Sequence, residues 1–123
     1  MAKQKIAIIE DDLAISQMYR LKFEAEGYNV AVAENGIVGL KVIKDFRPDV
    51  VLLDMMMPQM NGDEVLAQVR ASAWGKDLPV FILTNMGKEE APATLESLGV
   101  TAYIVKAEMT PKQVAEKVKE VVR

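Results

Sequence analysis

Five short runs rich in β-branched and aliphatic residues, Lys5–Ile9, Asn29–Ala33, Val50–Leu53, Val80–Leu83 and Ala102–Val105, alternate with five segments of helical period or helical punctuation. No other feature of the chain constrains its fold as strongly. Parallel strands need a crossover of a dozen or more residues, and a helix fits in every gap. The order βαβαβαβαβα therefore predicts one parallel sheet with right-handed crossovers and helices on both faces. Val50–Leu53, reading "VVLL", is the unbroken apolar run of a strand covered on both sides.

The helices are bounded by their own punctuation. The first is expected over about Leu13–Glu26, with Ala14, Met18, Leu21 and Ala25 as its inward stripe and Gly27 as its stop. The second spans about Gly36–Phe46 and is followed by Pro48; the third begins near Gly62 and turns Val65, Leu66 and Val69 inward. In the last, Thr110, Pro111 and Gln113 suit an N-cap, a first-turn proline and a capping-box partner, ahead of a buried stripe of Val114, Val118 and Val121. Pro92 within "GKEEAPATLESLG" predicts a fourth helix that starts late and is short.

Composition removes several chemistries. At 123 residues the chain suits a single domain, 1–123, with no linker and no output domain. It has no Cys and no His, so thiol sites, imidazole bases and the commonest transition-metal ligand are absent. Carboxylates, hydroxyls and amines must carry any chemistry. A net charge of −3 without a basic patch argues against nucleic acid, and no apolar run or leader pattern suggests a membrane or export, so a cytoplasmic protein is expected.

All five strands of a parallel sheet end on one edge, where open α/β sheets bind ligands. Strand 1 runs into Glu10, Asp11 and Asp12, strand 3 into Asp54, strand 4 into Thr84 and strand 5 into Lys106. Carboxylates within about 4–6 Å of one another repel unless a cation sits between them. Oxygen donors select a hard ion, and Mg²⁺, which keeps several waters, suits one or two carboxylates and a phosphoryl oxygen. Lys106 and Thr84 would face the charge of a transferring phosphoryl group, with Asp54 as its nucleophile. A nucleotide or flavin phosphate is the wrong guest for a loop with three acids.

Four motifs, "IIEDD", "LLDMMMPQMNG", "ILT" and "AYIVK", occur in this order at these spacings. Together they resemble the receiver domain of bacterial two-component response regulators, of the stand-alone CheY-like type, over the chain from Ile6 to helix 5. The resemblance implies a flavodoxin-like (βα)5 sandwich with strand order 2-1-3-4-5. It implies that Asp54 is the phosphoacceptor, and that Glu10, Asp11, Asp54 and the backbone carbonyl of Met56 position Mg²⁺. Thr84 and Lys106 would contact the phosphoryl oxygens, and Tyr103 would turn inward when Thr84 moves. The implied donors are a histidine kinase, a histidine-phosphotransfer domain or a small acyl phosphate. The implied output is a changed helix 4, strand 5 and helix 5 surface read by a downstream protein. The protein would be a monomer or a weak phosphorylation-dependent homodimer, with self-phosphorylation and dephosphorylation as its only chemistry.

Three positions depart from the family pattern. Ala107 follows Lys106 where proline with a cis bond is usual, and a cis bond before Ala would cost about 2.5–4 kcal/mol. Asn85 follows Thr84 where a small residue is usual, and its bulk narrows a donor's approach. Pro92 bears on the signalling face. Asp12 reads as an N-cap rather than a ligand, and Met55, Met56, Met57 and Met60 as packing and loop filler, with Met56 and Met86 near enough to influence water access. Trp74 is expected at the opposite edge from the acids. The alternatives are a degenerate receiver acting as a phosphorylation-independent interaction module, and a phosphatase turning over a small substrate through Asp54.

Overall fold

The computed structural model describes residues 3–85, 87, 89, 91 and 93–122. Five strands, β1 (Lys5–Ile9), β2 (Asn29–Ala33), β3 (Val50–Leu53), β4 (Val80–Thr84) and β5 (Ala102–Val105), alternate with α1 (Leu13–Ala25), α2 (Gly36–Phe46), α3 (Gly62–Ala71), α4 (Thr94–Leu98) and α5 (Pro111–Val122). The strands form one parallel sheet in the order β2-β1-β3-β4-β5. This is the expected doubly wound flavodoxin-like arrangement. The expectation that Pro92 starts helix 4, and that concerning Met86, fall outside the described residues, although α4 is indeed short.

Alternation within the strands divides the core in two. Ala7, Ile9, Val51, Leu53, Val80 and Ile82 point to a layer filled by Ile43, Val65, Leu66, Val69 and Leu95. Ile6, Ile8, Val50, Leu52, Phe81, Leu83 and Ile104 point to the other, filled by Tyr19, Phe23, Val114 and Val118. The three central strands are thus apolar on both faces, as a sheet sandwiched by helices requires.

Two helical stripes differ from expectation. In α1, Ala14, Met18, Leu21 and Ala25 are all exposed, and the buried residues are Ser16, Tyr19 and Phe23. This helix is apolar on opposite sides, so spacing alone admits both orientations. The aromatic side wins because two large rings bury far more surface than a stripe half made of alanine. Phe23 also gains an edge-to-face partner, Tyr28, at 5.2 Å. In α5 the stripe is Val114, Ala115 and Val118, while Val121 is 39% exposed and Val122 packs in its place. Further small differences are that β4 includes Thr84 and α1 ends at Ala25, before Gly27 with φ 96°.

The caps follow the sequence closely. Asp12 caps α1 by accepting from the Ile15 N–H at 3.1 Å. Asn35 caps α2 through the Val38 N–H at 2.9 Å. Thr110 and Gln113 exchange reciprocal capping-box bonds at the start of α5.

Candidate functional site

Ile9 of β1 stands opposite Leu53 of β3, so the next residues along, Glu10 and Asp54, meet where both strands leave the sheet. Their backbones are held there. The Asp54 N–H donates to the Ile9 carbonyl at 2.9 Å and the Glu10 N–H to the Ala33 carbonyl at 2.9 Å. Thr84 closes β4 opposite Val105, which places Lys106 at the same rim, opening a single 3-10 turn over Lys106–Glu108. Strand register thus converts four distant stretches of sequence into one cluster.

The cluster lines a cavity of about 430 Å³ together with Asp11, Asp12, Ile15, Met56 and Asn85. Glu10, Asp54 and Thr84 are only 2%, 6% and 1% exposed. Asp11 is exposed. The Lys106 ammonium contacts Glu10 Oε1 directly and lies 3.5 Å from Asp54 Oδ2. The Asp12 N–H donates to Glu10 Oε2 at 3.1 Å, and the Met56 N–H to Asp54 Oδ1 at 3.4 Å. Among the described residues there is no cis peptide bond, so Lys106 reaches both acids across a trans bond to Ala107.

Burial pushes Glu10 up to about 7, helped by the neighbouring Asp54 and opposed by Lys106 and the Asp12 N–H. Asp54 is also raised, chiefly by burial, while a hydrogen bond from Glu10 and the charge of Lys106 pull it back. Both carboxyls are thus held above their ordinary range by burial, against the pull of Lys106. Burial disfavours the Lys106 ammonium, yet Glu10 and Asp54 outweigh it and hold the group above its usual value.

These residues suit a hard divalent cation. One oxygen each from Glu10, Asp11 and Asp54 lies within 4.8 Å of the others, with the Lys106 ammonium against Glu10 and Asp54. Glu10 Oε1, although in ionic contact with Lys106, is buried without a hydrogen bond among the described residues. A divalent cation placed among the three carboxylates would compete with Lys106 for that oxygen.

Tyr103 lies one strand position before Ile104 on β5, half-buried against the α2–α3 layer, and its hydroxyl donates to the Gly87 carbonyl at 3.5 Å. Of the four loop methionines, Met55 and Met57 are buried and Met60 is partly so, as packing predicts. Met56 differs: it is 64% exposed at the cavity mouth, because side chains along the loop alternate between core and rim. Ile15 in the cavity wall was not foreseen, since it belongs to the side of α1 that the expected stripe turned away from the sheet.

A doubly wound sheet with an acidic rim, a buried acid at the end of its middle strand and a lysine beside it defines a narrow class of proteins. The chain belongs to the response regulator receiver domain family, whose model matches residues 6–119. Among curated relatives, response regulator MprA of Mycobacterium sp. (strain KMS) is 40% identical over 80 residues, 65% of this chain and 34% of that one. The DNA-binding response regulator MtrA of Mycobacterium leprae is 33% identical over 118 residues, 95% of this chain and 50% of that one. The chain thus spans a third to a half of the length of these relatives. Among solved structures, chemotaxis protein CheY4 of Vibrio cholerae superimposes with a TM-score of 0.89 at 28% identity, covering 98% of this chain and 99% of that one. No helix among the described residues is long and apolar enough to cross a membrane.

Proposed function

We propose that this chain is a phosphoacceptor switch in two-component signalling, with Asp54 as the acceptor. The observation that carries the proposal is Asp54 itself, buried between Glu10 and the Lys106 ammonium yet opening on a cavity. An Asp54 oxygen attacks the phosphorus of a phosphohistidine or acyl phosphate. A P–O bond forms, the P–N or P–O bond to the donor breaks, and its electron pair leaves with the imidazole or the carboxylate.

Glu10, Asp11, Asp54 and the Met56 carbonyl would hold Mg²⁺, which when bound supplies positive charge against the phosphoryl oxygens. Lys106 neutralises oxygens on the other side, and the buried Thr84 hydroxyl donates to one of them. The Met56 N–H keeps the acceptor carboxylate oriented. Asn85 at the cavity edge limits how wide a donor can enter.

Output follows from the added charge. Drawing Thr84 toward the phosphoryl group repacks the end of β4, and Tyr103 gives up the Gly87 carbonyl and turns inward. The changed surface of α4, β5 and α5 is then read by a protein partner, with a histidine kinase or phosphotransfer domain upstream. The test is intact-protein mass spectrometry after incubation with acetyl phosphate and Mg²⁺. One phosphoryl group should be gained, and Asp54→Asn or metal removal should abolish it. A protein that stays unmodified, and that also fails to bind beryllium fluoride, is a constitutive interaction module instead.

A further inference from the structure

The loop from Met55 to Asn61 carries the Met56 peptide, and α2 presses on it from outside. Gly36, the first residue of α2, is buried there. A Cβ on Gly36 would stand 2.0 Å from the Met60 carbonyl oxygen, 2.6 Å from Met60 Cβ and 2.8 Å from the Met60 carbonyl carbon. Two of these three atoms are backbone, so they cannot swing aside as the end of a side chain would. Only the absence of a side chain at Gly36 lets α2 and the loop meet at this distance.

Neither partner has slack to yield. Gly39 lies flush on Ile9, where an added Cβ would come within 2.5 Å of Ile9 Cγ2, so α2 is already seated on β1. On the loop side, the Met60 N–H donates to the Pro58 carbonyl at 2.9 Å around Gln59, whose φ is 72°. This tight three-residue turn holds a non-glycine residue in the left-handed region, a conformation that persists only when its surroundings enforce it. Met55 and Met57 anchor one end of the loop in the core, and the Gly62 N–H closes the other on the Met55 carbonyl at 2.9 Å. A push at Met60 therefore travels back through a stiff turn to Met56.

We infer that Gly36 is a positioning residue for the site: it lets the start of α2 seat the loop so that the Met56 peptide stays against Asp54. The inference rests on the reading of this rim as a Mg²⁺-dependent acceptor site. Mg²⁺ affinity measured by titration calorimetry on the whole chain tests it without any phosphoryl donor. Gly36→Ala should weaken Mg²⁺ binding on the order of tenfold, the size of effect seen when the support of a metal ligand is disturbed. Ile43→Ala, a core truncation two turns further along the same helix, should lower the urea midpoint comparably and leave Mg²⁺ affinity unchanged.

Met60→Gly approaches the contact from the loop side and should also weaken Mg²⁺ binding, so the inference stays testable if Gly36→Ala does not fold. Wild-type affinity in the folded variants at Gly36 or Met60 overturns it. So does an equal loss in Ile43→Ala, which would mean that general destabilisation alone moves the site. A wild-type chain that takes up no Mg²⁺ overturns the acceptor-site reading, and the inference falls with it.

Discussion

Glu10 shows most plainly how a residue's surroundings set its chemistry. Its neighbour Asp12 is exposed and caps a helix, whereas Glu10 is 2% exposed and shares its site with Asp54 and Lys106. With its pKa raised to about 7 in the fold against 4.5 when solvated, chiefly by burial, Glu10 binds its proton more tightly in the native state than in the unfolded chain. The stabilisation is fully present below pH 4.5 and is lost as pH rises toward 7, since stability falls with pH wherever the native state binds more protons. Urea midpoints measured in EDTA from pH 4.5 to 7.5 should decline, and Glu10→Gln should flatten that decline. Mg²⁺ competes with the same proton, so its affinity should rise over the same interval. A midpoint in EDTA that climbs with pH would show that Glu10 is ionised in the fold throughout.

At the scale of elements, the strands were legible nearly to the residue because each is a continuous apolar run ended by a charge, a turn residue or a proline. The clustering of the candidate site residues was legible for a related reason. Topology sends every strand end to one rim, so naming the strand ends named Glu10, Asp54, Thr84 and Lys106 together. Contacts between elements were not legible, because no local pattern encodes them. Gly36 against Met60 is one case and Arg70 is another. From the last turn of α3, Arg70 donates to the carbonyls of Leu98 at 2.7 Å, Gly75 at 2.8 Å and Gly99 at 2.8 Å. It thereby ties the carboxyl end of α4 to α3 and to the loop before β4. A helix of five residues has little stability of its own, so this clamp fixes the end of α4 that lies away from the acids. Arg70→Met keeps the length of the chain but leaves three carbonyls to water. It should cost about 1–3 kcal/mol and raise amide hydrogen exchange over 98–101 ahead of the rest of the sheet. Uniform exchange across the variant would show that α4 is held by packing alone.

Taken whole, the molecule has two ends with different work. The carboxyl ends of the strands gather the acids and Lys106. Trp74 sits in the segment leading into β4, partly buried against the core with the Arg47 guanidinium 5.4 Å from its ring centre. The sheet separates them. Filling the acidic rim should therefore leave the emission of folded Trp74 unchanged, because the ring lies before the start of β4, at the other end of that strand from the acids. Unfolding is different, since it exposes the ring whichever end gives way first, and in a cooperative domain the rim and the tryptophan come apart together. A ligand that binds only the native state raises its stability by RT ln(1 + [L]/Kd), about 1.4 kcal/mol at ten times Kd. Mg²⁺ should thus raise the urea midpoint read from Trp74 while the folded baseline stays where it was. Replacing Asp54 with Ala should abolish the shift and leave the baseline untouched. A shifted baseline would mean that the rim is coupled to the far edge through the sheet in the native state. An unshifted midpoint under saturating Mg²⁺ would mean that the acids do not form a metal site, and the Lys106 ion pairs would then be what offsets the charge of this buried cluster.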